Sequence, residues 1–281
     1  MKAIRVCWAE AAVPGGAVTL PGGGAVTTEW LPVAQVRGDY AAAPAAYSAH
    51  YLGPAELSVF ARITVPKRQV EWLAGRVAAK RLVCLTLERL GLAVPPSELA
   101  VLGRKPGGRA GKPELSAPPG GGYGRDGPPE LPITDISLAH TLRFAVCGLA
   151  SGGRVGVDVE PLRSFSPALL RTVFTEREVA LAESVFPAFD PAHRATALWV
   201  VKEALLKAYG IGFAHGWGTA RLRGAGPAAA VFDINLPAGT DPGDRVHIRY
   251  GRLTDHIFAI ATVTPWATDG HQQKGQLRAW D

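Results

Sequence analysis

Asp158 and Glu160 stand two residues apart in "GVDVEP" (156–161), between valines that mark a strand. Alternate side chains of a strand share a face, so the two carboxylates point one way while Val157 and Val159 point the other. Two oxygen donors converging from one side suit a hard cation such as Mg²⁺, which takes one or two carboxylates and completes its shell with substrate phosphates and waters. On their own, two such acids describe a solvated strand face equally well. A second group lies in "WVVKEALLKAYG" (199–210), where Trp199, Glu203 and Lys207 recur at i, i+4 and i+8 and share one helical stripe, with Lys202 on its flank. Glu203 offers a third carboxylate or a base, and Lys207 a cation one turn away; alone, the same spacing is an ordinary helix ion pair. His140, after the β-like run "ISLAH", is a candidate donor to a phosphate, or else a histidine at the core edge.

These groups need elements to hold them. "AIRVCW" (3–8) is β-prone, and "GGAVTLPGGGAV" after it reads as turns and a loop. From Gln69 to about Leu90, Val70, Leu73, Val77, Leu82, Leu85 and Leu90 recur near helical period, and Gly91 is a stop. Residues 103–131 are too rich in Gly and Pro for one regular element and divide into "GKPEL" and an insertion around 117–129. "ITDISLAHTLRFAVCGLA" (133–150) supplies two strands and "GRVGVDVE" (153–160) a third, expected to form one small antiparallel unit. Thr175 and Glu178 spell a capping box, with Phe174 and Val179 placed for a hydrophobic staple. Asp190-Pro191 opens a helix that Gly210 ends. "RVHIRYGRL" (245–253) and "HIFAIATV" (256–263) read as a closing hairpin, and no pattern follows Pro265.

Set side by side, "GRVAAKRLV" (75–83) is similar to "LWVVKEALLKA" (198–208), and "LRFAVCGLA" (142–150) to "HIFAIATVT" (256–264). The chain is expected to be α+β, with subdomains 1–150 and 151–265, a tail 266–281, and a cleft between halves. Its 281 residues, 47% hydrophobic and 19% charged, describe a globular chain, and a net charge of +6 invites anionic partners. Cys7, Cys84 and Cys147 make no CxxC pair or disulfide framework. Glu10 interrupts the N-terminal run before it reaches signal-core length, and no apolar stretch of about 18 residues follows, so a cytoplasmic protein without a membrane span is expected. Zinc-finger spacing, RNP-like aromatics and dense Lys/Arg runs are missing, which argues against a nucleic-acid binder. Clustered acids with a lysine also fit a Mg²⁺-dependent phosphate-ester hydrolase.

In order and spacing, "ISLAHT", "GVDVE" with Asp158 18 residues after His140, "FTEREVA", and "WVVKEALLKAYGIG" with Glu203 45 residues after Asp158 resemble a 4′-phosphopantetheinyl transferase of the large, surfactin-synthetase-activating (Sfp) type. The resemblance runs from about Trp72 to Phe213 and takes in "WLAGRVAAK" (72–80) and "GKP" (111–113). It implies a pseudo-twofold monomer of two similar subdomains, each a helix packed on a small antiparallel sheet. The implied reaction moves the 4′-phosphopantetheine arm of coenzyme A to a serine of an apo acyl or peptidyl carrier protein, releasing adenosine 3′,5′-bisphosphate. Fatty-acid, polyketide and nonribosomal-peptide carriers all present this serine. By the same resemblance Asp158, Glu160 and Glu203 hold Mg²⁺ or Mn²⁺, and Glu203 is the base, directly or through water, with Glu160 or its bound water as second choice. Lys207 then serves the leaving phosphate and Lys202 lies near the phosphates. The 3′-phosphate falls to His140 with Lys67, Arg68 and Arg76, and Lys112 borders the adenine. Ala139 departs from the family's usual Ser or Thr and removes one hydroxyl contact.

Overall fold

The computed structural model describes residues 1–11, 16–19, 25–103, 112–116, 133–211, 216–226, 228–236 and 244–264. Gly111 of "GKP", the insertion around 117–129 and the tail 266–281 lie outside them. The chain opens with β1 (Lys2–Glu10), β2 (Gly16–Thr19) and β3 (Ala25–Pro32), followed by α1 (Val33–Ala42), α2 (Pro44–Tyr51), α3 (Pro54–Phe60) and the long α4 (Pro66–Glu88). A ribbon of β4 (Ala100–Gly103) and β5 (Pro113–Ser116) leads to the hairpin β6 (Asp135–His140) and β7 (Phe144–Ser151). The second half runs β8 (Arg154–Pro161), α5 (Pro167–Val173), α6 (Glu176–Val185), α7 (Pro191–Ala208), β9 (Ala220–Ala225), β10 (Ala229–Ile234), β11 (Arg245–Leu253) and β12 (His256–Thr264).

The strands form sheets of order β2-β3-β7-β6, β4-β5 and β8-β12-β11-β1-β10-β9. Antiparallel pairing prevails, as the α+β reading requires; β1 on β11 is parallel. Leu73, Val77 and Leu82 of α4 close a core against β7, while Leu198, Val201 and Leu205 of α7 close another against the larger sheet. A third apolar layer joins the halves, where Val155, Val157 and Val159 of β8 meet Val26, Val146 and Phe258. Among the described residues no helix is long and apolar enough to cross a membrane.

The halves repeat one another in a detail that local patterning does not reveal. Glu56, third residue of α3, accepts hydrogen bonds from the Gly53 N–H at 3.3 Å, the Val101 N–H at 2.9 Å and the Lys80 ammonium. Glu178, third residue of α6, accepts from the Thr175 N–H at 3.0 Å, the Leu222 N–H at 2.9 Å and the Lys202 ammonium at 2.9 Å. Each lysine follows its glutamate by 24 residues and is fully buried. The same three elements, short helix, long helix and strand, are thus pinned by the same ion pair in both halves.

Several expectations change. β8 leaves the unit 133–160 and pairs with β12, because its two-sided burial suits either sheet. β1 crosses into the C-terminal sheet between β11 and β10, so the boundary at 150 does not hold for residues 2–10. Gly16–Thr19, read as loop, is a strand on β3. Of the residues that recur near helical period, Leu85 on α4 and Leu90 beyond its end are exposed, and Leu87 takes the buried position of the last turn.

Close packing sets the site's spacing. Gly156 lies under α7, and a Cβ there would stand 1.9 Å from the Ala204 carbonyl oxygen and 2.4 Å from the Ala208 nitrogen. The helix backbone must move to admit even a methyl group. Gly156→Ala is expected to cost about 1–3 kcal/mol, the usual toll of overpacking, and to loosen α7 from β8. Denaturant unfolding checks the first, and a midpoint matching the wild type would show that α7 has slack.

Candidate active site

Asp158 and Glu160 share the side of β8 on which Gly156 admits α7, so the strand's alternation aims both carboxylates at the helix stripe of Trp199, Glu203 and Lys207. The Lys207 Nζ donates to Asp158 Oδ1 at 2.7 Å. The other oxygen, Asp158 Oδ2, is buried without a hydrogen-bond partner. Three carboxylates against one ammonium leave an uneven site, and their titration reflects it. Burial, with Asp158 and Glu160 adding repulsion against the help of Lys207, pushes the Glu203 carboxyl up to about 7. Burial and then Asp158 raise Glu160, while Arg163, Lys207 and Trp199 oppose. Burial disfavours charge on Lys207, yet Asp158, Glu203 and Glu160 outweigh it and hold its pKa above the ordinary lysine value.

The N-terminal half supplies a second side. His140 ends β6 within electrostatic reach of Glu71, Lys207, Arg76 and Asp158, and partial burial, aided by the two cations, lowers its pKa. Arg76 of α4 lies over the Trp72 ring at 4.3 Å, its Nε buried without a hydrogen-bond partner. Burial lowers the Arg76 guanidinium to about 10 against the pull of Glu56 and Cys147. Asp158, Glu160, Glu203, Lys207, His140 and Arg76 are therefore brought to one junction. Glu71 and Arg163 belong to it as well and were not read from sequence; Glu71 precedes Trp72 and Arg163 lies three residues after Glu160, and neither stands at a telling spacing.

Lys202, expected at the phosphates, is instead in the core with Glu178. One residue along a helix turns the side chain by about 100°, so the neighbour of Glu203 faces away from the acids. Lys112, expected at an adenine, bonds Asp135, the Val155 carbonyl at 3.1 Å and the Ala208 carbonyl at 3.3 Å. A buried carboxylate and the carbonyl end of α7 both need a cation there, which makes Lys112 a clamp between β6, β8 and α7. Lys67 and Arg68 are exposed in the first turn of α4, roughly 13 Å along the axis from Arg76 at 1.5 Å per residue, and are not gathered with it. Among the described residues, no three His, Cys, Asp or Glu side chains stand close enough to hold a metal ion as they are.

Such a site belongs, as a class, with phosphoryl-group chemistry: surplus carboxylates for a cation, an ammonium, and a further cationic group from the other half within electrostatic reach. Residues 154–259 match the family model described as the 4′-phosphopantetheinyl transferase superfamily. The matched span holds β8 and α7, hence Asp158, Glu160, Glu203 and Lys207, and stops short of the N-terminal half that contributes His140 and Arg76. No curated protein matches the chain.

Proposed function

We propose that this protein transfers the 4′-phosphopantetheine arm of coenzyme A to a serine hydroxyl of an apo acyl or peptidyl carrier protein, with Mg²⁺, as an Sfp-type monomer. The observation that carries the reading is the acid pair of β8 facing Glu203 and Lys207 of α7 inside the span that matches the superfamily. Two halves with the same buried Glu–Lys pair in one chain support the Sfp-type form.

The donor set fits a divalent cation. Asp158 Oδ2 is a buried carboxylate oxygen with no hydrogen-bond partner, and burial, with repulsion from Asp158 and Glu160, raises Glu203 to about 7. Asp158, Glu160 and Glu203 would hold Mg²⁺, which needs only one or two carboxylates where substrate phosphates complete its shell. When bound, the ion neutralises the pyrophosphate and polarises the bond that breaks. Glu203 takes the serine proton directly or through a water. Lys207, fixed by Asp158, faces the charge that develops on the departing phosphate. His140 and Arg76 hold the 3′-phosphate from the opposite wall.

Intact-mass spectrometry of purified apo carriers incubated with the protein, coenzyme A and Mg²⁺ tests this. A gain of one phosphopantetheine, abolished by EDTA, is expected. Release of phosphate with no gain on any carrier would favour ester hydrolysis and end the proposal. The cation should also compete with a proton at Glu203. Apparent Mg²⁺ affinity in the presence of coenzyme A is expected to fall up to about tenfold per pH unit below 7 and to level off above it, as read by calorimetry. A flat profile would remove Glu203 from the cation's surroundings.

A further inference from the structure

The turns beside the site meet across the junction of the halves. Thr141 follows His140, and its Oγ accepts from the backbone N–H of Arg143 and of Phe144, both at 3.1 Å. His256 is buried and pairs in register with Pro161, the residue after Glu160. Its Nε2 lies 3.2 Å from Thr141 Oγ and its Nδ1 2.9 Å from Asp255 Oδ1. Asp255 also receives Arg143 Nη1 at 2.7 Å and Thr254 Oγ at 2.9 Å.

The roles along this line follow from lone pairs. Hydrogen bonds from His256, Thr254 and Arg143 hold the Asp255 carboxyl well below the usual range, so it only accepts, and Nδ1 of His256 must carry the proton it receives. The two lone pairs of Thr141 Oγ are taken by backbone N–H groups, which directs its own proton to Nε2. A Thr–His–Asp line of this kind has the outline of a nucleophile and its base. With both lone pairs engaged, however, Thr141 has none left to attack with, and the line is a brace. The Arg143–Asp255 pair is exposed on both sides and contributes little by itself; the part-buried His256–Thr141 bond is the member of the line that links the two turns.

Its position relative to the site is set by β6 and β8. Asp135 Oδ2 accepts from the Val155 N–H at 2.8 Å and Ser137 Oγ from the Val157 N–H at 3.0 Å, so the strands run in parallel with an offset of 20 residues. The same offset brings His140 level with Glu160 and Thr141 level with Pro161. The brace therefore stands one residue beyond the level of His140 and Glu160.

We propose that Thr141 and His256 are positioning residues that fix His140 of one half against the acids of the other; the proposal rests on the transferase reading above. Thr141→Val keeps volume and His256→Phe keeps a planar ring, and each removes the bond. Each is expected to lower kcat/KM for coenzyme A by about 10- to 100-fold, the scale of ångström misplacement, with the carrier's KM within about twofold. The double variant should be no worse than the poorer single, as for two ends of one contact, and Thr141→Ser should restore activity. Losses that merely track the unfolded fraction in parallel melting curves, or singles that match the wild type, would overturn the proposal. A wild type that neither binds coenzyme A nor modifies a carrier would instead overturn the transferase reading. Nitrogen-15 NMR of His256 then judges the brace alone: a proton on Nδ1 and a bare Nε2 are expected, and the reverse tautomer would sink it.

Discussion

Glu203→Gln should lower turnover by about 10²- to 10⁴-fold, the contribution of a positioned general base, while making the cation-free protein more stable at high pH. The two effects have one cause. Burial first, then Asp158 and Glu160, lift this carboxyl from 4.5 to about 7. A folded-state value above the unfolded one gives stability that is fully present below about 4.5 and is lost as pH rises through about 7. The loss is about 3 kcal/mol once Glu203 is ionised. Glutamine keeps the shape and cannot ionise, so above neutrality it should recover part of that, and below pH 4.5 the two proteins should unfold alike. Melting in EDTA at pH 4 and pH 8.5, beside single-turnover transfer, reads both. Turnover near the wild type would exclude Glu203 as base; a variant less stable than the wild type at pH 8.5 would mean that the acids do not crowd one another.

Divalent cation should reverse the same balance, stabilising the wild type more at pH 8.5 than at pH 5.5. Where the site comes from explains which parts of it were legible. Asp158 and Glu160 obey a period of two and Glu203 and Lys207 a period of four, so each element's facing could be written from its own residues. The pairing of β8 could not, because Val155, Val157 and Val159 read alike whether the strand joins β6 or β12. β1 leaves even less trace: its register with β11, Val6 on Val246 for one, spans nearly the whole chain and has no local pattern. Lys202 was misplaced for a different reason. The resemblance implied a place near the phosphates, and helical rotation turns the side chain away from Glu203. The similarity of "GRVAAKRLV" to "LWVVKEALLKA" held the correcting signal, since it sets Lys80 on Lys202. A lysine kept in both halves, while the next residue changes from Arg81 to Glu203, marks what the fold needs and not what the chemistry needs. Arg81 accordingly faces Glu29 at 3.7 Å.

Lys202→Met tests that distinction with the largest expected loss of stability. The Glu178 carboxylate is 2% exposed and would be left as a buried charge without its cation, a situation that costs about 3–5 kcal/mol. Two backbone N–H groups, of Thr175 and Leu222, still bond the carboxylate. The damage should spread to the start of α6 and to β9, which hydrogen exchange at Leu222 would register. Lys80→Met should cost a similar amount, since Glu56 holds the Gly53 and Val101 N–H groups in the same way. For the folded fraction of Lys202→Met, the KM for coenzyme A is expected to stay within about threefold of the wild type. Full stability together with a KM raised about tenfold or more would place the ammonium at the phosphates and overturn the structural role, and the failure of Lys80→Met to match would break the equivalence of the halves. The pair of outcomes separates a lysine that holds α7 to α6 from one that holds a substrate, a difference its position beside Glu203 in the sequence could not express.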